Sequence, residues 1–227
     1  WKNTGFVAKT MTLYPREGNL PLREDGLTPK EFFPKCIYVD FRRSITINAV
    51  GLSNKGAEWL FAQNRWQQRT DNFFLSFMAM GTTRDERREE TQDFVKFFHP
   101  LLPQFHGKVG LQLNKSCPNV GQGRDFYGFV DEVWEDLSVA SVLGIPLIPK
   151  LLPFTPADVV VNISHHQACD AIALNQTIPF GKCANWINWK KLFPIGSPLL
   201  LRRFEQLGGF SGPQVLPIVA DTIERVR

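Results

Sequence analysis

Three side chains suited to chemistry stand close together in the stretch GLQLNKSCPNVGQG, residues 110–123. Asn114 and Asn119 each offer an amide with hydrogen-bond donors and an acceptor, and Cys117 lies between them. A cysteine on a loop among cations can have a lowered pKa and act as a base or a nucleophile. Pro118 restricts Cys117 to extended backbone, which fixes where the sulfur points. The stretch therefore predicts a polar binding site beside a reactive thiol.

Further polar side chains stand where other predicted strands end. They are Lys9 and Thr10, Asn48, Lys150, and Asn175 with Gln176. In a parallel α/β sheet the carboxyl ends of the strands share one edge, so we expect these side chains to form one pocket. Several amides suit a flat ligand with alternating C=O and N–H groups, such as a uracil-like ring or the edge of an isoalloxazine. A lysine beside such a ring can stabilise negative charge that develops on it.

The elements that would carry these residues alternate between strands and helices. The continuous apolar run 72–81 predicts a strand buried on both faces, and residues 85–105 predict a helix that stops near Pro100. Further strands are predicted over 5–14, 44–54, 107–119, 145–154 and 169–181, and further helices over 57–66, 125–144, 156–167 and 211–227. Units of about 30 to 40 residues of this kind predict βαβ repetition and a parallel sheet.

Composition limits the class of protein. Of 227 residues, 43% are hydrophobic and 21% charged, as expected for one globular domain with a large core. The net charge of +4, with both signs interspersed, argues against a nucleic-acid partner. The cysteines show no CxxC spacing, so we expect no metal site and a structural role for Cys36, Cys169 and Cys183. No apolar run approaches the roughly 20 residues of a membrane span, so we expect a cytoplasmic protein without a membrane partner.

The chain resembles the dihydroorotate dehydrogenases, which are flavin-dependent enzymes on a (β/α)8 barrel. The resemblance rests on KTMTLYPREGNLPLR, INAVGLSN, NKSCPN and GGFSG in this order, with IPLIPKL and NQTIP before the last, and it covers essentially the full length. It implies an α/β fold, a (β/α)8 TIM barrel that is incomplete in this chain. Residues 1–227 would form a single FMN-binding domain with the family's second to sixth strands and without its first, seventh and eighth. We expect the sequence to be a fragment of a longer chain.

The resemblance also implies roles for individual residues. Cys117 matches the base that takes a proton from C5 of the dihydropyrimidine while C6 gives a hydride to N5 of the flavin. The residues that match substrate-binding groups are Lys9, Asn48, Asn114, Asn119 and one of Asn175 and Gln176. Neighbours on a strand face opposite sides, so only one of the last two can line the pocket. The residues that match flavin-lining groups are Thr10 and Lys150, with Lys9 close by, and Gly209, Ser211 and Gly212 in a glycine-rich loop near the flavin phosphate.

The sequence leaves several alternatives open. Lys115 stands where the family has a small or apolar residue, and its cation either lowers the pKa of Cys117 or points outward. The substrate is dihydroorotate or the substrate of another pyrimidine dehydrogenase. A different class of protein, a barrel relic that serves as a binding or scaffold protein, is the alternative to an enzyme. Fumarate, NAD through a partner subunit, and quinone are electron acceptors in the family, of which we expect a soluble one, and the resemblance implies a homodimer.

Overall fold

The computed structural model describes residues 5–115 and 126–227, and the chain divides into two compact units. The first unit consists of Trp1–Arg16, Asn54–Leu151 and Asp158–Ala173. The second unit consists of Glu17–Ser53, Leu152–Ala157 and Leu174–Arg227. Each unit has its own four-stranded sheet. That residues 1–227 are a single barrel domain stays a prediction.

The elements follow one another in chain order. The strands are β1 (Phe6–Val7), β2 (Ile37–Asp40), β3 (Ile45–Asn48), β4 (Phe73–Phe77), β5 (Val109–Asn114), β6 (Leu147–Lys150), β7 (Ile178–Pro179) and β8 (Gly209–Ser211). The α-helices are α1 (Ala57–Ala62), α2 (Arg84–Phe98), α3 (Phe126–Ala140), α4 (Ala157–Ser164), α5 (Trp189–Leu192), α6 (Pro198–Leu201) and α7 (Val215–Val226). Turns of 3-10 helix follow α2 and α3, at His99–Gln104 and Ser141–Leu143. Within the two described ranges, no helix has the length and apolar character needed to cross a bilayer.

The first unit is built on a parallel sheet. Its strands neighbour one another in the order β1-β4-β5-β6, and all three pairs are parallel. A parallel bridge between Lys150 and Ala173 adds one more pairing beyond β6. The structure thus confirms an α/β fold with a parallel sheet, and in the described residues this sheet is open and has four strands, as expected for an incomplete barrel.

The predicted apolar strand and the helix after it form the centre of the first unit. Phe73, Leu75 and Phe77 of β4 are all buried, as the continuous apolar run predicted. Phe77 stacks on Phe94 of α2 with ring centroids 4.0 Å apart. The helix begins with a capping box, in which the Thr83 side chain accepts a hydrogen bond from the backbone N–H of Glu86, and it ends close to Pro100 as predicted.

The second unit is built on an antiparallel sheet with strand order β2-β3-β8-β7. Of the stretches predicted as parallel strands, 44–54 was therefore assigned wrongly and 169–181 only in part, since its bridge at Ala173 is parallel. Residues 44–54 contain β3, which is antiparallel to both neighbours, and residues 169–181 divide between the bridge at Ala173 and β7. The alternation of buried and half-buried residues along β3 shows that one face is packed. It does not show the direction of the partner strands.

Candidate functional site

The carboxyl end of the parallel sheet brings together several of the predicted site residues. Asn114 of β5 lies opposite Lys150 of β6, and two residues earlier Gln112 lies opposite Ser76 of β4. Because side chains alternate along a strand, Gln112 and Asn114 share one face of the sheet. Thr10 reaches the same face from the segment after β1. Thr10, Asn114 and Lys150 thus meet at this edge, as predicted, together with two residues that the sequence analysis did not select.

A row of hydrogen bonds joins four of these side chains. Nδ2 of Asn114 donates to Oγ1 of Thr10 at 3.2 Å, and Thr10 Oγ1 lies 2.9 Å from Oγ of Ser76. Ser76 donates in turn to Oε1 of Gln112 at 3.2 Å. All four side chains are buried, the most accessible being Thr10 at 8%. We call this row the polar chain.

A bulge in the sheet positions Lys9 and Thr10. The N–H of Ala8 donates to the carbonyl of Phe74, and the N–H of Met11 donates to the carbonyl of Ser76, both at 2.8 Å. The chain therefore advances three residues beside two residues of β4, so one residue is extra. Such bulges redirect side chains locally. Thr10 points into the buried polar chain, whereas Lys9 stays exposed, and partial burial lowers the pKa of Lys9.

Lys150 brings a half-buried cation to the same edge. Burial lowers its pKa from 10.5 to about 8, because an ammonium loses hydration in this environment. The carbonyl of Lys150 accepts a hydrogen bond from the N–H of Lys115 at 3.1 Å, which joins the ends of β5 and β6. An anionic ligand beside Lys150 would favour its charged form and raise this pKa again.

Lys115 turns inward rather than toward solvent. Its Nζ lies 2.9 Å from Oε1 of Glu132 and 2.5 Å from Oδ2 of Asp136, both on α3. Glu132 is also bound by Arg87 of α2 through Nε at 2.8 Å and Nη2 at 2.7 Å. Of the two alternatives for Lys115, the one in which it points outward is therefore wrong. The charge of Lys115 is balanced by two carboxylates, so it is a weak source of positive potential for its surroundings.

The two carboxylates of this network have pKa values that move in opposite directions. Burial raises the pKa of Glu132, but hydrogen bonds from Arg87 and the charge of Lys115 outweigh it and lower that pKa to about 2. Burial raises the pKa of Asp136 above its ordinary value, although the charge and the hydrogen bond of Lys115 act to lower it. The difference follows from the number of cations, because Glu132 has two and Asp136 has one.

Two predicted residues of central importance, Cys117 and Asn119, lie outside the described residues. The other three cysteines are unpaired, and burial is the main cause that raises the pKa of Cys36, Cys169 and Cys183. Their thiols are thereby held in the unreactive protonated form. In residues 5–115 and 126–227, no group of three or more His, Cys, Asp or Glu side chains could hold a metal ion.

The remaining predicted amides belong to the second unit. Asn48 ends β3 and lies opposite Gly209 of β8. Asn175 and Gln176 lie in the segment before β7 rather than on a strand, so strand alternation does not decide between them. Asn175 is exposed and Gln176 is half-buried, which favours Gln176 as the residue with a fixed side chain.

The predicted glycine-rich loop is mostly a strand. Gly209 and Ser211 are the ends of β8, which pairs with β3 on one side and β7 on the other. A Cβ atom on Gly209 would clash with Thr177, and one on Gly212 would come within 2.6 Å of Ile45. Packing within the unit therefore explains why glycine is needed at both positions. A role of Gly209, Ser211 and Gly212 at a phosphate stays a prediction.

Sequence reasoning missed Ser76 and Gln112, although both left a signal. Ser76 is the polar residue inside the run FFLSF, and Gln112 interrupts VGLQL two residues before Asn114. A polar side chain inside a buried strand needs a hydrogen-bond partner. That need identifies such residues as members of a polar group, but the partner becomes known only from the strand register.

The residues at this edge fit the ring of FMN. A flavin ring has C=O and N–H groups along its edge and becomes anionic when it is reduced. The desolvated ammonium of Lys150 suits a ligand that gains negative charge. Thr10, Lys150 and Lys9 are the described residues that would hold such a ring.

Comparison with known proteins identifies the family of the chain. Residues 2–227 match the family model described as dihydroorotate dehydrogenase. The chain is 29% identical over 184 residues to the catalytic subunit of dihydroorotate dehydrogenase B (NAD(+)) of Anoxybacillus flavithermus, covering 79% of this chain and 53% of that protein. It is 27% identical to the protein of the same name from Carboxydothermus hydrogenoformans, covering 98% and 62%. It is also 27% identical to dihydroorotate dehydrogenase A (fumarate) of Lactobacillus delbrueckii subsp. bulgaricus, covering 98% and 63%. The chain thus spans about half to three fifths of the length of these relatives.

Proposed function

Because the chain belongs to the dihydroorotate dehydrogenase family, we propose that the protein oxidises dihydroorotate, or a closely related dihydropyrimidine, to orotate in pyrimidine biosynthesis. The observation that carries this proposal is the edge of the parallel sheet, where the amide of Asn114 is held by Thr10 and lies opposite the desolvated Lys150. The sequence SCPN follows directly after Lys115. A fixed amide, a cation and a thiol suit the oxidation of a flat, polar ring.

The amides of the chain would bind and orient the substrate. Asn114 offers its amide from the end of β5, and we propose that Asn119 and Asn48 supply two more. Lys9 and Gln176, or Asn175 in its place, complete the proposed binding set. The substrate ring has alternating C=O and N–H groups, to which amides can both donate and accept hydrogen bonds.

The thiolate of Cys117 would act as the base. Oxidation of dihydroorotate to orotate removes a proton from C5 and a hydride from C6, and a C5=C6 double bond forms. We propose that Sγ of Cys117 takes the proton, while bound FMN supplies the hydride acceptor at its N5. Lys150, with Lys9 and Thr10 nearby in the proposed site, would balance the negative charge that the cofactor gains. Gly209, Ser211 and Gly212 remain the proposed residues near its phosphate.

Electron acceptor and assembly are further parts of the proposal. The names of the relatives mention NAD(+) in two cases and fumarate in one, which supports a soluble acceptor. We propose a homodimer in the cytoplasm, in keeping with the family resemblance.

Replacement of Cys117 tests the proposed base directly. Cys117→Ala should abolish orotate formation while the flavin stays bound, because the base takes no part in holding the cofactor. Cys117→Ser should keep a weak activity that needs higher pH, because a hydroxyl is harder to ionise than a thiol. Orotate formation and flavin content separate these outcomes. Both are measured on the naturally encoded protein, that is, the product of the complete natural gene. Equal turnover of Cys117→Ala and the parent protein would contradict the role.

A further inference from the structure

The polar chain has a direction, which follows from counting its protons. A hydroxyl carries one proton, and Ser76 donates its proton to Oε1 of Gln112 at 3.2 Å. The 2.9 Å contact between Ser76 and Thr10 must then use the proton of Thr10. Oγ1 of Thr10 is left as an acceptor, and it receives the N–H of Asn114 at 3.2 Å. Thus Asn114 donates to Thr10, Thr10 donates to Ser76, and Ser76 donates to Gln112.

This direction fixes the orientation of the Asn114 amide. If the amide were rotated by half a turn, Oδ1 would face Oγ1 of Thr10, and neither oxygen would have a proton for the contact. Water cannot repair such a contact, because Asn114 is 5% exposed and Ser76 is 1% exposed. An unsatisfied buried polar group costs more than a hydrogen bond contributes. The amide is therefore held in one of its two orientations before any ligand arrives.

We propose that Ser76 and Gln112 are positioning residues that set the direction in which Asn114 recognises its substrate. The inference rests on the proposed function, in which Asn114 holds the pyrimidine. A ring edge that alternates C=O and N–H matches an amide in one orientation and repels it in the other, because donors then face donors. Gln112 is the last acceptor of the polar chain. Because Ser76 donates to Gln112, it can only accept from Thr10, and this sets the direction of the Thr10 proton. Neither residue is proposed to touch the substrate.

Paired variants of Ser76 test this inference in the naturally encoded protein. Ser76→Ala removes the acceptor for Thr10, so Thr10 can turn its proton toward Asn114 and no longer favours one orientation of the amide. We expect the dissociation constant of orotate, measured by calorimetry, and the KM of dihydroorotate to rise about fivefold to tenfold, the effect of one lost hydrogen bond. The kcat and the flavin content should change less than about twofold, because Cys117, Lys150 and Lys9 are untouched and Thr10 changes only the direction of its proton. Ser76→Thr keeps the hydroxyl on a strand residue and should restore the parent values.

Two variants of Gln112 test the direction itself. Gln112→Leu removes the final acceptor and should weaken orotate binding as Ser76→Ala does, without any change on β4. Gln112→Glu at pH 8 offers a carboxylate, which only accepts, so binding within about threefold of the parent is expected. If protons ran the opposite way, from Gln112 to Asn114, Gln112→Glu would weaken binding as strongly as Gln112→Leu, and the inference would be overturned.

Thermal unfolding of each variant separates loss of fold from loss of orientation. Orotate binding by the parent together with unchanged binding by Ser76→Ala and Gln112→Leu would overturn the inference and leave the proposed function intact. No binding of orotate or dihydroorotate by the parent would overturn both. A rise in KM with rescue by Ser76→Thr supports the inference, since a merely structural role would lower stability and flavin content instead.

Discussion

Lys115→Met is the substitution whose effect on stability the structure predicts most fully. Lys115 has a side chain that is 8% exposed, and it is the cation of the buried network on α3. Methionine has a similar length without the charge, so the change removes the ion pairs and little of the packing. Glu132 keeps Arg87 as a partner, whereas Asp136, 3% exposed, loses the one ion pair that it makes among the described residues.

The expected magnitude follows from Asp136. Loss of one partner from a buried ion pair costs about 3 to 5 kcal/mol, because the remaining charge is left without compensation. We expect the lower end, about 3 kcal/mol, because Asp136, whose pKa is already raised by burial, can take up a proton and need not stay charged. For a chain of this length, that loss corresponds to a fall in Tm of about 6 to 12 °C. The double variant Lys115→Met with Asp136→Leu should recover most of it, because a buried pair replaced by apolar groups is often neutral.

The loss of stability in Lys115→Met should also depend on pH. The folded-state pKa of Asp136 already lies above its ordinary 3.8, and removal of Lys115 takes away an interaction that lowers it. Between the unfolded and folded pKa values the folded state binds more protons, so its stability falls as pH rises through this window. The deficit of Lys115→Met relative to the parent should therefore be smaller at pH 5 than at pH 8.

Calorimetric or fluorescence melting of both variants measures these effects, with Lys96→Met as the matched control. Lys96 pairs with Asp93 at 3.1 Å on the surface, where its side chain is 74% exposed, so the control should lose less than about 1 kcal/mol. The reasoning is refuted if Lys115→Met behaves like this control. It is refuted equally if the double variant is less stable than the single one.

Two further predictions concern other parts of the chain. Without added flavin, the parent protein should be less stable than Lys150→Met at pH 8, and this difference should shrink as the pH rises toward 10.5. The folded-state pKa of Lys150 is about 8, so between these pH values the unfolded chain holds more protons than the folded chain. Melting curves across this range check the prediction, and a constant difference would contradict the lowered pKa. Gly209→Ala should destabilise the protein by about 1 to 3 kcal/mol, because its Cβ would clash with Thr177. Gly5→Ala should be neutral, because the added Cβ meets nothing within 4 Å. Urea unfolding compares the two variants.

Much of the first unit could be predicted from the sequence. The run 72–81 contains more apolar residues than a strand with one buried face needs, and it became β4 between two parallel neighbours. The sequence placed Asn114 and Lys150 at the carboxyl ends of their strands. In the structure these two strand ends lie opposite each other. Local patterns sufficed here because each strand carries its own signal.

Other features depend on partners that are distant in sequence. The sequence left open whether Lys115 lies beside Cys117 or points outward, because nothing local shows that Glu132 and Asp136, 17 and 21 residues later, turn toward it. The polar chain joins Asn114 to Thr10 across 104 residues, and only the bulge after β1 brings them together. The pairing of β3 with β8 is equally non-local, which is why the second sheet was not predicted.

The visible absorption spectrum of the naturally encoded protein, recorded without oxygen before and after addition of dihydroorotate, tests the proposed function most directly. We predict flavin bands near about 450 nm that bleach on addition, with one orotate formed for each flavin reduced. Flavin bands that persist after dihydroorotate is added would contradict the proposed substrate. A protein that binds no flavin at all would contradict the proposed enzyme and favour a barrel that serves only to bind another molecule.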